Sequence, residues 1–182
     1  MKVIYSQKID KEIFKEVNKE CPRLSKILGF KFKKIRFDKK VIPVAKNIAK
    51  ISKRFVNEKK IKSIMESIFK KKVPTGITIY INTTPFCTWN IKDRWISISM
   101  RFVEKEFFNE ACHEMNHFMY DYTFGTKKYQ DTEIKEILTV INNSFDVYDK
   151  GWDKFHKERE KAFKKYRKTR NIEEVIKQIG NK

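Results

Sequence analysis

The run His113-Glu114-Met115-Asn116-His117 constrains this chain more than any other stretch. It uses two of the 3 histidines in the protein and sets them four residues apart. On an α-helix, positions i and i+4 lie one above the other on one face. Both imidazoles can then reach one ion, about 2.0–2.1 Å away if it is zinc. Glu114 is turned about 100° from His113 by the 3.6-residue period, beside such an ion and in reach of its water. Two neutral ligands, a base and an open position are what metal-assisted hydrolysis requires. A surface helix with two solvated histidines is the plainer alternative. Against it, Phe108, Ala111, Cys112, Met115, Met119 and Tyr122 recur at i, i+3, i+4, i+7 spacing on the same helix. The fold must therefore supply a core on one side of this helix and a cleft along the other.

At 182 residues, with 40% hydrophobic and 14% aromatic residues, the chain is globular and long enough to bury a real core. A single domain over 1–182 is expected, in three parts. Residues 1–75 are helical, 76–125 hold a sheet and the HExxH helix, and 126–182 hold a third-ligand helix and the C-terminal helices. Only 5 Gly and 4 Pro argue for a mostly helical α+β architecture with few tight turns. Net charge is +19, from 42 Lys+Arg against 23 Asp+Glu, and suggests an acidic partner. Yet basic residues run throughout, as in 31–40, 59–72 and 154–170, without a nucleic-acid-binding motif. The charge alone implies solubility and non-specific nucleic-acid binding through a basic surface. Cys21, Cys87 and Cys112 form no CxxC pair and no even disulfide framework; Cys112 lies on the apolar stripe as a small buried hydrophobe. Reduced thiols and an N-terminus without an apolar run imply a cytoplasmic setting. No stretch reaches 18 uncharged apolar residues, so no membrane span is expected.

In chain order, Asp10 is placed to cap a first helix carrying Ile13, Phe14 and Val17. Leu24, Ile27 and Leu28 form a further short turn that Gly29 can end. Phe30, Phe32, Ile35 and Phe37 alternate with basic residues as a strand or extended arm. Pro43 opens a long backing helix with a break near Asn57. Ile77–Ile81 and Trp95–Met100 read as strands. If the second lies at the sheet edge, its free backbone groups can pair with an extended peptide. Gly125 stops the HExxH helix, and Asp131 or Thr132 caps the next, Glu133–Asn143. A last helix runs from about Trp152 to Arg167, with His156 on the side of Phe155 and Arg159; residues 171–182 can add a short one.

Two histidines leave a third ligand to find. Glu136, 19 residues past His117, is preferred, with Glu133 the alternative in a first helical turn. This arrangement resembles the gluzincin branch of the zincin metallopeptidases. More narrowly, Lys135-Glu136-Ile137-Leu138-Thr139-Val140-Ile141-Asn142 and Asp149-Lys150-Gly151-Trp152 with His156 resemble a group of small prokaryotic HExxH proteins. Those share a KE-x-LT-x-x-(L/I)N helix and a D-x-G-(Y/W)-x-x-x-H segment. The resemblance covers roughly 77–159. It implies a zincin-like fold and a zinc-dependent metallopeptidase acting on a peptide or protein substrate. His113, His117 and Glu136 would hold Zn2+ and Glu114 would be the base. One position departs. Larger gluzincins place an Asp four residues after the ligand Glu to hold the first His, and here Val140 stands there. Asn143 or Asp146 is expected to serve instead. For the oxyanion of the tetrahedral intermediate, His156 is the first candidate donor and Tyr148 the second. The rival reading is a basic nucleic-acid-associated protein with a structural metal or a degenerate HExxH site.

Overall fold

Four short strands make the sheet on which the HExxH helix rests. The structure is a computed structural model that describes residues 1–180, with 104 and 105 described by backbone alone. The strands are β1 (Lys2–Tyr5), β2 (Thr78–Asn82), β3 (Thr88–Asn90) and β4 (Trp95–Ser99), in the order β1-β2-β4-β3. β1 and β4 flank β2 in parallel, whereas β3 pairs with β4 antiparallel. The two strands expected from β-branched alternation are the central pair. Because β4 lies inside the sheet, the expectation that it offers a free edge fails, and β3 is the edge strand on that side. β4 is buried along its whole length, so its side chains face protein on both sides.

The first helix, α1 (Gln7–Leu28), is capped by Ser6, whose Oγ accepts from the Ile9 N–H at 3.4 Å. Asp10 does not cap it. Buried inside the first turn, Asp10 accepts from Tyr5 Oη (3.0 Å), Thr83 N (2.9 Å) and Thr83 Oγ1 (2.8 Å), and so ties α1 to the end of β2. α1 continues through Pro22 to Gly29, where φ is 77° and glycine suits the left-handed cap. No strand forms over residues 30–38. That arm is held by Phe30 stacked on Trp152 (5.3 Å) and by the Asn18 side chain, which bonds both backbone groups of Ile35.

The backing region is two helices, α2 (Ile42–Ser52) with Pro43 in its first turn and α3 (Glu58–Phe69) capped by Asn57. α3 buries Ile61, Ile64, Met65, Ile68 and Phe69 and packs against α4 (Glu104–Phe124). On α4, Phe107, Ala111, Cys112, Met115, Phe118 and Met119 are wholly buried, while Phe108 and Tyr122 are half-buried. Each buried Phe and Met among them contributes about 1.5–3 kcal/mol, which fixes the rotation of α4 and aims His113 and His117 away from the core. α4 ends at Gly125 (φ 67°).

After α4 come α5 (Thr132–Leu138), α6 (His156–Thr169) and α7 (Ile172–Gly180). The helix expected over 133–143 tightens after Leu138 into a 3-10 segment, Thr139–Phe145. One buried cluster runs from Val3 to Val175 and joins the sheet, α2, α3, α4, α6 and α7. Among the described residues no helix is long and apolar enough to cross a membrane.

Candidate metal centre

Three ligand-type side chains converge where α4 faces α5. His113 Nε2 and His117 Nε2 are 3.0 Å apart, and the two Glu136 oxygens lie 3.6 Å from the first and 3.5 Å from the second. A tetrahedral zinc with bonds near 2.0–2.1 Å sets its ligand atoms about 3.4 Å apart, so the triad fits that ion. A polar imbalance points the same way. Among the described residues the buried Glu136 Oε2 has no hydrogen bond, and two imidazole nitrogens face each other beside it. Buried polar atoms of this kind call for a partner. Glu136 is 9% exposed, whereas Glu133 on the same helix points to solvent. Glu136→Gln is accordingly expected to lose zinc on purification and Glu133→Gln to keep it, as read by atomic emission; equal zinc in the two would remove Glu136 from the centre.

His113 is oriented by a carboxylate that was not anticipated. Asp149 Oδ2 accepts from His113 Nδ1 at 2.6 Å, which leaves Nε2 free to ligate and makes it a better donor. The expected Asn143 acts one step further out, accepting the Asp149 N–H at 2.7 Å through Oδ1. Asp146 is exposed and takes no part. Asp149 is itself held by the buried Arg159, whose Nη2 donates to Asp149 Oδ1 (2.7 Å) and to its carbonyl (3.0 Å). Arg159 Nη1 donates to Thr139 Oγ1 (2.6 Å) and to the carbonyl of Glu136. One guanidinium thus links the segment carrying the orienting carboxylate to the segment carrying Glu136, the candidate third ligand. Burial opposes ionisation of Asp149, but the charge and hydrogen bond of His113, and then Arg159, overcome it and hold the carboxyl well below its usual range. For His113, burial opposes protonation, yet Asp149, Glu110 and Glu136 raise its basicity well above normal.

Gly151 makes this packing possible. Its φ is 61°, and a Cβ there would fall on the Arg159 guanidinium. That group is pinned by four hydrogen bonds and cannot swing away cheaply. Gly151→Ala is therefore expected to lower the thermal midpoint and to loosen zinc together, while Gly125→Ala, with open space at its Cβ, lowers only the midpoint. Equal zinc affinity in the two variants would show that Gly151 does not act on the centre.

His117 is positioned differently. Among the described residues its buried Nδ1 has no hydrogen bond. Its ring packs instead on Trp89, with centroids 4.8 Å apart. Trp89 Nε1 donates to Asp121 Oδ2 at 2.8 Å, and Asp121 is paired with the buried Lys135. Burial, the largest influence, lowers the His117 pKa, which keeps it neutral as a ligand must be.

Glu114 is 4% exposed and its Oε2 has no hydrogen bond among the described residues. Burial, assisted by Glu110 and Glu136, pushes its carboxyl well above the usual range against the pull of His113 and Lys128. It borders a cleft of about 350 Å³ that also takes in His113, His117, Glu136, Cys87 and Trp89. Tyr148 stands at the rim of this cleft, 66% exposed. His156 does not reach it. As the first residue of α6 it faces solvent, because the inward positions of that helix go to Arg159, Ala162 and Tyr166. The role expected for His156 as an oxyanion donor therefore has no geometric basis. Sequence reasoning missed Asp149, Arg159 and Trp89 as parts of the centre. The segment Asp149-Lys150-Gly151-Trp152 belongs to the pattern that carries the resemblance, and its Asp is the available signal. No family model, curated protein or solved structure matches the chain.

Proposed function

We propose that this chain is a zinc-dependent metallopeptidase with a zincin-like, gluzincin-type centre. His113, His117 and Glu136 hold the ion and Glu114 is the general base. The observation that carries this reading is the convergence of two imidazoles and a buried carboxylate at tetrahedral spacing, with the buried Glu114 carboxyl next to them in an open cleft. Bound zinc would polarise a peptide carbonyl and lower the pKa of a water molecule. Glu114 takes the proton of the attacking water and returns it to the leaving amine. Asp149 and Trp89 keep the two imidazoles in place throughout. Tyr148, at the rim, is the remaining candidate donor to the oxyanion.

The cleft also has the features of a peptide site. Phe30, Phe86, Trp89, Phe102 and Trp152 give it an apolar wall. The edge strand β3 lines it through Thr88 and Trp89 and pairs on one side with β4. An extended peptide can add to the other side of β3 by main-chain hydrogen bonds. The test is metal analysis of the purified chain followed by hydrolysis of a mixed peptide library. About one zinc per chain, with cleavage abolished by a chelator and restored by added zinc, is the expected result. A zinc-loaded chain that cleaves nothing in the library, or a chain that never binds zinc, overturns the proposal.

A further inference from the structure

A second group of ligand-type atoms lies beside the first. Helix α4 carries two columns at i, i+4 spacing: His113 over His117, and Glu110 over Glu114, offset by three residues. The columns are neighbours on the helix surface. Against the carboxylate column sits Cys87, a free thiol in the connection before β3. Ligand atoms of Cys87, Glu110 and Glu114 all lie within 4.8 Å of one another. The thiol is held in place by the Ser99 N–H, which donates to Sγ at 3.2 Å. All three residues line the open cleft, so an ion can reach them from solvent.

Two features separate this group from an ordinary acidic cluster. Glu114 is more than nine-tenths buried, and its Oε2 has no hydrogen bond among the described residues. A buried carboxylate oxygen without a donor is costly unless a cation or proton answers it. The third member is a sulfur atom, which hard cations such as Mg2+ and Ca2+ avoid and softer ions such as Zn2+, Co2+ and Cd2+ accept. We propose that Cys87, Glu110 and Glu114 form a second site, for a thiophilic divalent cation, adjoining the His113–His117–Glu136 centre. On binding, the Cys87 thiol gives its proton to solvent and the thiolate, with the two carboxylates, takes the ion. A Glu114 carboxylate engaged there is no longer free to accept a proton in the cleft. The second ion therefore acts as an inhibitor, a consequence that rests on the peptidase reading; the site itself does not.

The experiment is a titration of the chelator-stripped full chain with Co2+ alone, followed by absorption. The histidine centre has no sulfur ligand and gives only weak visible bands. The second site gives an intense near-ultraviolet thiolate-to-cobalt charge-transfer band. Two equivalents are expected, one of them tied to that band. Cys87→Ser, which keeps an acceptor for the Ser99 N–H, should lose the band and one equivalent, whereas Cys21→Ser and Cys112→Ser keep both. Glu110→Gln should weaken the band-forming equivalent only. Absence of the band in the parent chain, or its survival in Cys87→Ser, overturns the second site. A band that forms in a chain binding no second equivalent would instead refute the histidine centre and leave this site standing. Excess zinc should slow peptide hydrolysis by the parent chain and spare Cys87→Ser; equal inhibition of both would remove the inhibitory role.

Discussion

Replacing Glu114 with Gln is expected to leave the zinc in place and lower kcat/KM by about 10²–10⁴-fold, the usual worth of a positioned proton-transfer group. The two carboxamide and carboxylate side chains have nearly the same shape, so the cleft wall is kept. What changes is the capacity to accept a proton. Glu114 is not one of the three groups that converge on the histidine-centre ion, so the one zinc retained through purification should match the parent by atomic emission, and only the second equivalent taken up from excess metal should fall. Folding should not suffer either. The carboxyl is buried and crowded by Glu110 and Glu136, and a neutral amide removes that repulsion, so the thermal midpoint is expected to hold or rise. The contrast with Glu136→Gln is the decisive part. One variant keeps metal without turnover, and the other loses both because the metal leaves. If Glu114→Gln shed its zinc, Glu114 would be a ligand and the base would have to be sought elsewhere. If it kept its turnover, proton transfer would move to Glu110, one helical turn away and in the same cleft.

The parts of this centre that could be read from sequence are those that local periodicity encodes. Two histidines at i, i+4, a glutamate between them and an apolar stripe at helical spacing depend on one helix alone. The structure places each of them as the period requires. Glu136 could be preferred over Glu133 because a first-turn glutamate has a ready explanation in the helix dipole, and Glu133 is indeed the exposed one. Long-range pairing carried no such signal. β1 is four residues long, and only Val3 in it is buried, so its partnership with a strand far along the chain left no alternation to detect. The edge position passed from β4 to β3 for the same reason: β3 is three residues inside a stretch that reads as loop. Asp149, Arg159 and Trp89 come from three separate segments and meet the histidines only through tertiary packing. Arg159 looked like part of an apolar helix face and is in fact the buried cation that the orienting carboxylate needs. His156, three residues earlier on the same helix, is expected on that face from the sequence but lies about 60° round from where the side chains are buried, since three residues advance a helix by about 300°.

Arg159→Met is expected to destabilise the metal-free chain by about 3–5 kcal/mol, because it takes a donor from the buried Asp149 carboxylate and from three other buried acceptors, the Asp149 and Glu136 carbonyls and Thr139 Oγ1. Arg159 is 4% exposed and Asp149 8%, so solvent cannot compensate. Asp149→Asn together with Arg159→Met should cost clearly less than the two single changes added, since the pair acts as one unit. Acid should reproduce part of the single-variant effect. The Asp149 carboxyl is held well below its unfolded value, so its contribution is fully present above about pH 3.9, the ordinary aspartate pKa, and is lost as pH falls through the folded value. His113 has the opposite sign. Its pKa is raised in the fold, so its contribution is present below about pH 6.5 and is lost as pH rises through the folded value. The metal-free parent should then be most stable between these limits, and Asp149→Asn should flatten the profile at both ends because it removes the partner of each shift. Urea unfolding of chelator-treated protein across that range measures this directly. A profile unchanged by Asp149→Asn would mean that the carboxylate does not hold His113 in solution, and the orientation of the first ligand would need another source.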